Sequence, residues 1–302
     1  MPVSKTPVYT ALAANIAISA TKLIAAFITG SSAMASEGIH SLVDASNEVL
    51  LLLGLRNSRK PPDENRPFGY GKELYFWAFI VSLLFFALGG GFSIYEGIQH
   101  LQHPENIKNP VYNYVVLGIA FLFDGFSFIT AIREFNRQRG SVPFWQAVKQ
   151  SKDPSTFVVL FEDAADVIGI LIAFTGILLS SLLPNPYMDG IASILIGLLL
   201  MLVAILLIRE SRSLLMGESV AADELREVIL LTESNDAVHS VVSHKSMYLG
   251  PEEVILLLKI YFNKNIQSQE IVQSIQVLRQ TIQAQYPHYQ HLFIEPVPKA
   301  GK

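Results

Sequence analysis

The stretch Tyr187–Ile208, YMDGIASILIGLLLMLVAILLI, contains a single charged residue, Asp189. A run of about 20 apolar residues is long enough to cross a lipid bilayer as an α-helix. Five similar segments precede it, and the predicted set is Val8–Ile28, Ala33–Leu55, Leu74–Gln99, Tyr112–Ile132, Phe157–Ser180 and Tyr187–Ile208. Because a helix satisfies its backbone hydrogen bonds within one segment, we predict six transmembrane helices rather than strands.

The composition agrees with a membrane protein. Of the 302 residues, 51% are hydrophobic and 16% are charged, whereas an average soluble domain has about a quarter charged residues. The net charge of -4 implies no strongly charged surface, so nucleic-acid binding has no support. The chain has no cysteine, which excludes disulfides, zinc fingers and thiol catalysis. Any metal ion must therefore be held by His, Asp or Glu, or by backbone or water oxygen.

The distribution of basic residues predicts the orientation in the membrane. Basic residues lie between segments two and three, between segments four and five, and after segment six: Arg56, Arg59, Lys60, Arg66, Lys72, Arg133, Arg137, Arg139, Lys149, Lys152, Arg209 and Arg212. The connections on the opposite side contain only Lys108. By the positive-inside tendency, both termini are predicted to be cytoplasmic. Nothing before Val8 resembles an Arg-rich targeting peptide, which favours a bacterial inner membrane.

The sequence changes character near residue 212. We predict a transmembrane domain over residues 1–211 and a cytoplasmic domain over residues 212–302. The second region reads as helix, strand, strand, helix, strand, in the segments Ala222–Glu233, Ala237–Lys245, Glu253–Phe262, Ile266–Tyr286 and His291–Pro296. This order suits a small two-layer α+β domain. The predicted fold class is therefore an α-helical membrane protein with six transmembrane helices and a C-terminal α+β domain.

Charged side chains inside the second segment are a strong functional signal, because charge within a bilayer is costly and is kept mainly for function. His40, Asp44 and Glu48 follow one another at intervals of four residues, and Glu37 lies one turn earlier. Residues four apart stack along one face of a helix. This helix is therefore predicted to present potential metal ligands along a single face.

The fifth segment carries a matching pair. Glu162 and Asp166 are also four residues apart, whereas Asp163 points elsewhere. Across a helix interface, the predicted ligand set is His40, Asp44, Glu162 and Asp166. One imidazole nitrogen and three carboxylates suit a tetrahedral divalent ion, zinc foremost. The alternative is that these groups only join helices by hydrogen bonds.

The same ligand set suggests proton coupling. Three carboxylates in a site of low dielectric constant cannot all stay ionised without a cation. The empty site should therefore hold protons, which metal binding expels. His40 is the expected exchanger near neutral pH, since the reference pKa of histidine is about 6.5.

Other charged residues in the membrane are assigned more weakly. We predict supporting or access-path roles for Glu37, Glu48 and Asp163, and a pairing of Asp163 with Lys22 is one option. Isolated groups are explained at least as well by interhelical pairing or by reaching the interface: Lys22, Glu96, Asp124 and Asp189. The run Gly89–Gly91 permits close helix packing or a bend.

Over nearly its whole length the sequence resembles the cation diffusion facilitator family of metal/proton antiporters. The resemblance is carried by the two pairs of ligands and by four segments: Ser36–Asp44 (SEGIHSLVD), Pro61–Lys72 (PPDENRPFGYGK), Tyr95–Leu101 (YEGIQHL) and Met188–Gly197 (MDGIASILIG). Asp153–Thr156 (DPST) and Phe161–Asp163 (FED) are most similar to the branch containing zinc transporter nine. The resemblance implies a homodimer, a transport site at the four predicted ligands, and a metallochaperone-like cytoplasmic domain.

The sequence departs from the family at the metal sites. The family often places His where this chain has Glu162, so the ion could also be manganese, iron or cadmium. Some members hold a second metal between helices two and three through an Asp and two His. Asp63 is kept here, but the His positions are Arg66 and Tyr70. We predict that this second site is absent.

The cytoplasmic domain departs in the same way. Family members that bind zinc there use residues that align with Val242, Lys259 and Glu295, and only Glu295 could be a ligand. Four histidines remain in the region, either as a different site or as ordinary surface residues: His239, His244, His288 and His291.

The sequence thus predicts a proton-coupled exporter of a divalent metal ion, zinc first. It predicts no prosthetic group, and its expected partners are the ion, protons, the lipid bilayer and a second copy of the chain. Neither an HExxH motif nor a nucleophile–base pair lies in the membrane segments, so an enzyme is not expected. The alternative function is a metal sensor or partner subunit that does not transport. The ion, the proton stoichiometry and the direction of transport stay open.

Overall fold

The structure, a computed structural model, describes residues 6–183, 185–264 and 266–298. The described residues form two compact units. The membrane unit consists of the residues up to Leu55 together with Phe76–Arg212, and the C-terminal unit consists of Arg56–Tyr75 together with the residues from Ser213. The connection between the second and third helices thus groups with the C-terminal unit, which the predicted division did not anticipate. The domain boundary between residues 211 and 212 stays a prediction.

The chain is mainly helical up to Met216. The elements are α1 (Thr6–Thr29), α2 (Ser32–Ser58), α3 (Lys72–Leu84), a π-helical segment (Phe85–Gly91), α4 (Phe92–Gln102), α5 (Val111–Arg139), the short α6 (Phe144–Gln150), α7 (Pro154–Leu182) and α8 (Tyr187–Met216). The π-helical segment joins α3 and α4 into one continuous helix over Lys72–Gln102.

Within the described residues, four helices are long and apolar enough to cross a membrane: Lys72–Gln102, Val111–Arg139, Thr156–Leu182 and Tyr187–Met216. The apolar part of α1 is shorter, Asn15–Thr29. Helix α2 has a lower mean hydropathy because it carries the ionisable residues predicted to be functional. These six helices and the small sheet domain confirm the predicted fold class.

Large apolar side chains remain exposed on the outside of the membrane unit. Phe27 is 91% exposed, Leu122 72% and Phe126 74%. Such exposure would be unfavourable in water but is not in a bilayer, because lipid tails are as apolar as leucine. The exterior of this unit therefore suits contact with lipid.

Glycines let the continuous helix Lys72–Gln102 approach α8 closely at two points. A Cβ atom on Gly97 would lie 2.7 Å from the carbonyl oxygen of Gly190, and one on Gly197 would lie 2.8 Å from that of Gly90. Both distances are too short for a side chain, so the two backbones touch. Small residues at such crossings are how membrane helices pack without a hydrophobic driving force. Gly90 in the run Gly89–Gly91 lies at such a close approach, since a Cβ atom there would lie 2.5 Å from Met201 Cγ, so the first of the two predicted options, close packing, is observed.

The C-terminal unit has the predicted order of helices and strands. Its elements are α9 (Ala222–Glu233), β1 (Val238–Gly250), β2 (Glu253–Phe262), α10 (Ser268–Gln285) and β3 (His291–Pro296). The strands form one sheet in the order β1-β2-β3. Strand β2 pairs antiparallel with β1 and parallel with β3.

The core of this unit lies on one face of the sheet. Val254, Leu256, Leu258 and Ile260 of β2 are fully buried, and the residues between them are half-buried. The buried face joins side chains of α9 and α10 in one apolar cluster. Lys259 interrupts the otherwise apolar run Val254–Ile260, and burial alternates along β2 because the helices contribute to the core on one face only.

The connection between α2 and α3 packs against the sheet of the C-terminal unit. Gly71 lies so close to the Leu249 carbonyl oxygen that a Cβ atom would overlap it. The ring of Phe68 meets the ring of His291 edge to face, with 5.2 Å between centroids. Glycine is thus required at position 71 by close backbone approach.

Candidate metal centre

His40, Asp44 and Asp166 come together in the membrane unit. His40 Nε2 lies 3.0 Å from Asp166 Oδ1, and His40 Nδ1 lies 3.3 Å from Asp44 Oδ2. One ligand atom from each residue lies within 4.8 Å of the others. The interval of four residues places His40 above Asp44 on α2, and α7 contributes Asp166 from across the interface. We call these three residues the His40 centre.

Five buried polar atoms of the His40 centre lack well-formed hydrogen bonds among the described residues. Among the described residues, both ring nitrogens of His40, both carboxylate oxygens of Asp44 and Oδ1 of Asp166 make no hydrogen bond of acceptable geometry. Buried polar atoms in proteins are nearly always paired, so each exception calls for an explanation. A cation bound between the imidazole and the carboxylates would satisfy these atoms together. The donor set fits zinc, and it also fits manganese, iron or cadmium.

The fourth predicted ligand, Glu162, lies outside the His40 centre. It is one turn before Asp166 on α7, and its Oε1 accepts a hydrogen bond of 2.8 Å from Asn47 Nδ2. Asn47 is completely buried, and its own Oδ1 has no partner among the described residues. Sequence reasoning missed Asn47, although it lies one turn after Asp44 on the face that carries the ligands. Asn47 therefore competes with any ion for Glu162.

An open cavity of about 840 Å³ reaches the candidate ligands. Its acidic lining residues are Asp44, Glu48, Asp124, Glu162, Asp163 and Asp166. Glu48 Oε2 accepts a long hydrogen bond of 3.4 Å from Asn15 Nδ2, and Asp163 Oδ2 accepts one of 2.8 Å from Ser127 Oγ. The cavity gives a hydrated cation a path lined by carboxylates to the His40 centre. The assignment of Glu48 and Asp163 to an access path stays a prediction, which this position supports.

Glu37 has a different neighbour. Its Oε2 accepts a hydrogen bond of 3.1 Å from Lys22 Nζ, and both side chains are completely buried. Lys22 thus pairs with Glu37 rather than with Asp163, whose partner is a serine hydroxyl.

The buried carboxylate of Asp189 accepts hydrogen bonds from the beginning of α2. Its Oδ2 accepts hydrogen bonds from the backbone N–H of Ser32 at 2.5 Å and from Ser32 Oγ at 2.9 Å, and its Oδ1 accepts one from Ser31 Oγ at 2.7 Å. The first N–H groups of a helix need external acceptors, and a carboxylate there also interacts well with the helix dipole. This isolated charge therefore fixes the first turn of the helix that carries the His40 centre.

In the connection between α2 and α3, the residues at the family's second metal position bond to one another. Tyr70 donates its hydroxyl to Asp63 Oδ2 at 2.5 Å, and Arg66 Nη1 donates to Glu73 Oε1 at 2.8 Å. The guanidinium of Arg66 lies over the Tyr70 ring, 4.5 Å from its centroid. The Tyr70 hydrogen bond, helped by backbone N–H donors, lowers the pKa of Asp63. The predicted absence of a metal here stays a prediction, and this arrangement shows what the residues do instead.

Histidines of the C-terminal unit are engaged with neighbouring side chains. His288 Nε2 lies 2.7 Å from Glu224 Oε1, and His291 Nε2 lies 2.8 Å from Glu253 Oε1. Glu295, which aligns with a family ligand, pairs with the ammonium of Lys259 at 3.2 Å. His288 and His291 are thus half-buried partners of carboxylates rather than freely exposed surface residues.

The chain belongs to the cation efflux family. Residues 8–216 match the family model described as the cation efflux transmembrane domain. This match covers the membrane helices and contains every residue of the His40 centre, and it confirms the family resemblance.

Similarity to individual proteins shows which branch of the family the chain resembles most. The chain is 36% identical to the mitochondrial proton-coupled zinc antiporter SLC30A9 of Xenopus laevis over 248 residues, which are 81% of this chain and 44% of that protein. It is 32% identical to metal tolerance protein C4 of Arabidopsis thaliana over 263 residues, 86% of this chain and 57% of that protein. It is 29% identical to the manganese efflux system protein MneP of Bacillus subtilis over 230 residues, 72% of this chain and 70% of that protein. The similarity to SLC30A9 confirms the resemblance to the branch containing zinc transporter nine, and the chain spans about half the length of the first two relatives.

Proposed function

We propose that the protein is a proton-coupled exporter of a divalent metal ion, zinc first, which binds at His40, Asp44, Glu162 and Asp166. The observation that carries the proposal is the His40 centre. Its three side chains converge from two membrane helices, five of their polar atoms make no hydrogen bond of acceptable geometry among the described residues, and an acidic cavity opens onto them. Glu162 completes the ligand set when it leaves Asn47.

Proton exchange follows from the charge of the site. Several carboxylates close together in a low-dielectric interior need a positive partner, and either protons or a metal ion can provide it. Metal entry from one side displaces protons, and protonation from the other side displaces the metal. His40 takes part because it contacts a carboxylate with each ring nitrogen, and a protonated imidazole would serve both. The substrate is therefore exchanged for protons at the same atoms.

Zinc is the first choice of substrate for two reasons. An imidazole with carboxylates is a common zinc ligand set, and the first of the three relatives described above is named a zinc antiporter, while the name of the second, a metal tolerance protein, specifies no ion. The third is named for manganese efflux, and the carboxylate-rich site is compatible with that ion as well.

The remaining parts of the proposal concern the setting of the protein. The chain belongs to a transporter family and is an integral membrane protein. We propose that it has no enzymatic activity, acts as a homodimer and has both termini in the cytoplasm. A bacterial inner membrane stays the proposed location, although the named antiporter relatives are mitochondrial.

The proposal is tested by zinc uptake into proteoliposomes with an imposed pH gradient. Wild-type protein should accumulate zinc when the gradient is present, and Asp44→Ala should lose the uptake while still eluting as a folded protein. A matched control is Glu134→Gln, which removes a charge from an exposed ion pair with Arg137 and should keep normal uptake. Manganese, iron and cadmium are compared in the same assay.

The outcome separates transport from the alternative function. If zinc and the other ions bind to wild-type protein but none crosses the membrane, the protein is a sensor or partner subunit. Wild-type uptake by Asp44→Ala would contradict the proposed site.

A further inference from the structure

Lys22 places a fixed positive charge near the candidate metal centre. It is completely buried in α1, and its Nζ lies 3.1 Å from Glu37 Oε2, 2.8 Å from Ser41 Oγ and 3.7 Å from Asp124 Oδ2. The oxygens come from two other helices, α2 and α5. Three oxygen atoms that can accept its hydrogen bonds or pair with its charge thus surround one cationic nitrogen inside the membrane, where an unpaired charge would be very costly.

The same three oxygens would also suit a bound metal ion. Two carboxylates and a hydroxyl are the oxygen ligands that hard divalent cations prefer. Glu37 also has an unused oxygen: its Oε1 is buried and has no hydrogen-bond partner among the described residues. This oxygen fits against Gly169 of α7, where a Cβ atom would overlap it. The position therefore has the oxygen ligands of a cation site and one further carboxylate oxygen without a partner, and the ammonium group of Lys22 occupies it.

The acidic groups around Lys22 and those of the His40 centre differ in whether a lysine already neutralises them. In the described part of the membrane unit, Lys22 forms ion pairs with Glu37 and Asp124. The carboxylates of the His40 centre have ion-pair contacts there only with the imidazole itself. The position around Lys22 is filled by a covalently attached charge, whereas the His40 centre can take up an exchangeable ion.

We propose that Lys22 is a tethered cation that permanently occupies a second cation position, formed by Glu37, Ser41 and Asp124. The membrane unit then holds one exchangeable metal ion at a time, at the His40 centre. This inference rests on the proposed function, since it takes the His40 centre as the position of the transported ion. The competing explanation is that Lys22 only ties three helices together, in which case its removal creates no ion site.

The two explanations differ in the number of bound ions. Purified full-length protein is dialysed to equilibrium against zinc or manganese, and the metal per protomer is counted by mass spectrometry. Asp44→Ala should bind one zinc fewer than wild type. Lys22→Ala should bind one ion more than wild type, with manganese preferred at the new oxygen-only position, and the double variant should return to the wild-type number.

Each failure points to one proposal. If Asp44→Ala binds as many ions as wild type, the proposed function loses its site, and the Lys22→Ala comparison can still be read. If folded Lys22→Ala binds the wild-type number of both metals, the tethered-cation proposal is wrong.

A second set of variants decides the matter if Lys22→Ala does not fold. Lys22→Met removes the charge but keeps much of the side-chain volume and should bind one ion more than wild type, whereas Lys22→Met with Glu37→Gln, which removes both charges of the pair, should bind the wild-type number of ions. Glu37→Gln alone should also leave the number unchanged, because in wild type Glu37 holds the lysine and no metal. The wild-type number of ions in folded Lys22→Met, or a loss of one ion in Glu37→Gln, would overturn the proposal.

Discussion

Replacing Asn47 with alanine tests whether Glu162 is the fourth ligand. In the structure Asn47 Nδ2 donates a 2.8 Å hydrogen bond to Glu162 Oε1, in a completely buried setting. If Glu162 must leave Asn47 to reach the metal, this hydrogen bond opposes metal binding. Hydrogen bonds to charged groups contribute about 1.5–3 kcal/mol. Because about 1.4 kcal/mol corresponds to a factor of ten, Asn47→Ala should tighten zinc binding by about 10- to 100-fold.

The assay is a zinc titration against a fluorescent competitor chelator, with Asp44→Ala as the control for binding elsewhere in the chain. In a Glu162→Ala background, the Asn47→Ala change should have no effect on the zinc Kd, since its target is gone. Weaker zinc binding by Asn47→Ala would refute the reasoning. It would mean that Asn47 orients Glu162 so that the other carboxylate oxygen of Glu162 binds the metal. Loss of such a supporting hydrogen bond weakens metal affinity by about 10- to 100-fold.

Three further predictions concern the framework around the site. Gly97→Leu should prevent folding of the membrane unit, seen as loss of the monodisperse peak in detergent, because its Cβ atom would lie 2.7 Å from the Gly190 carbonyl oxygen; a normal peak would contradict the close packing. Asp189→Ala should lower the thermal unfolding temperature through loss of the acceptor for the first N–H groups of α2, a change of about 1–2 kcal/mol, whereas an unchanged temperature would show that water replaces the carboxylate. Tyr70→Phe should be less stable than wild type at neutral pH, and the difference should shrink as the pH falls below about 4, because the Tyr70 hydroxyl lowers the pKa of Asp63 and that contribution is lost on protonation; a difference that is constant with pH in thermal melts would refute this.

The sequence predicted the membrane helices because their composition is set by lipid. Apolar length alone located Tyr187–Ile208, and the observed helix α8 begins at the same residue. It continues to Met216, because a helix does not end where its apolar run ends, and Arg209 and Arg212 can lie outside the lipid. The π-helical segment Phe85–Gly91 was not predictable, since glycines permit several geometries and the packing partner on α8 is distant in sequence.

Part of the candidate site could be predicted from spacing. Residues four apart share a helix face, which is why the sequence places His40 and Asp44 together, and the structure brings Asp166 close to both. Spacing gives no distance between helices, so it did not reveal that Glu162 bonds to Asn47. A lone asparagine in an apolar helix gave no signal above the many that join helices by hydrogen bonds.

The neighbours of Lys22 could not be predicted from the sequence either, because residue spacing gives no distances between helices. Its partners Glu37 and Asp124 lie on two other helices, and only their packing brings all three together. In the C-terminal unit, the alternating burial of β2 also depended on tertiary structure, because the helices contribute to the core on only one face of the sheet.

The central claim is that metal and protons exchange at the His40 centre, and it is tested most directly by following both ions in one proteoliposome experiment. A zinc-sensitive dye and a pH-sensitive dye are trapped inside the vesicles, and zinc is added outside without an imposed pH gradient. The account predicts that zinc entry drives protons out, so the interior becomes more alkaline in step with the zinc signal, and that Asp166→Ala abolishes both signals. Zinc entry with no change in internal pH, or coupled signals that persist in Asp166→Ala, would contradict it.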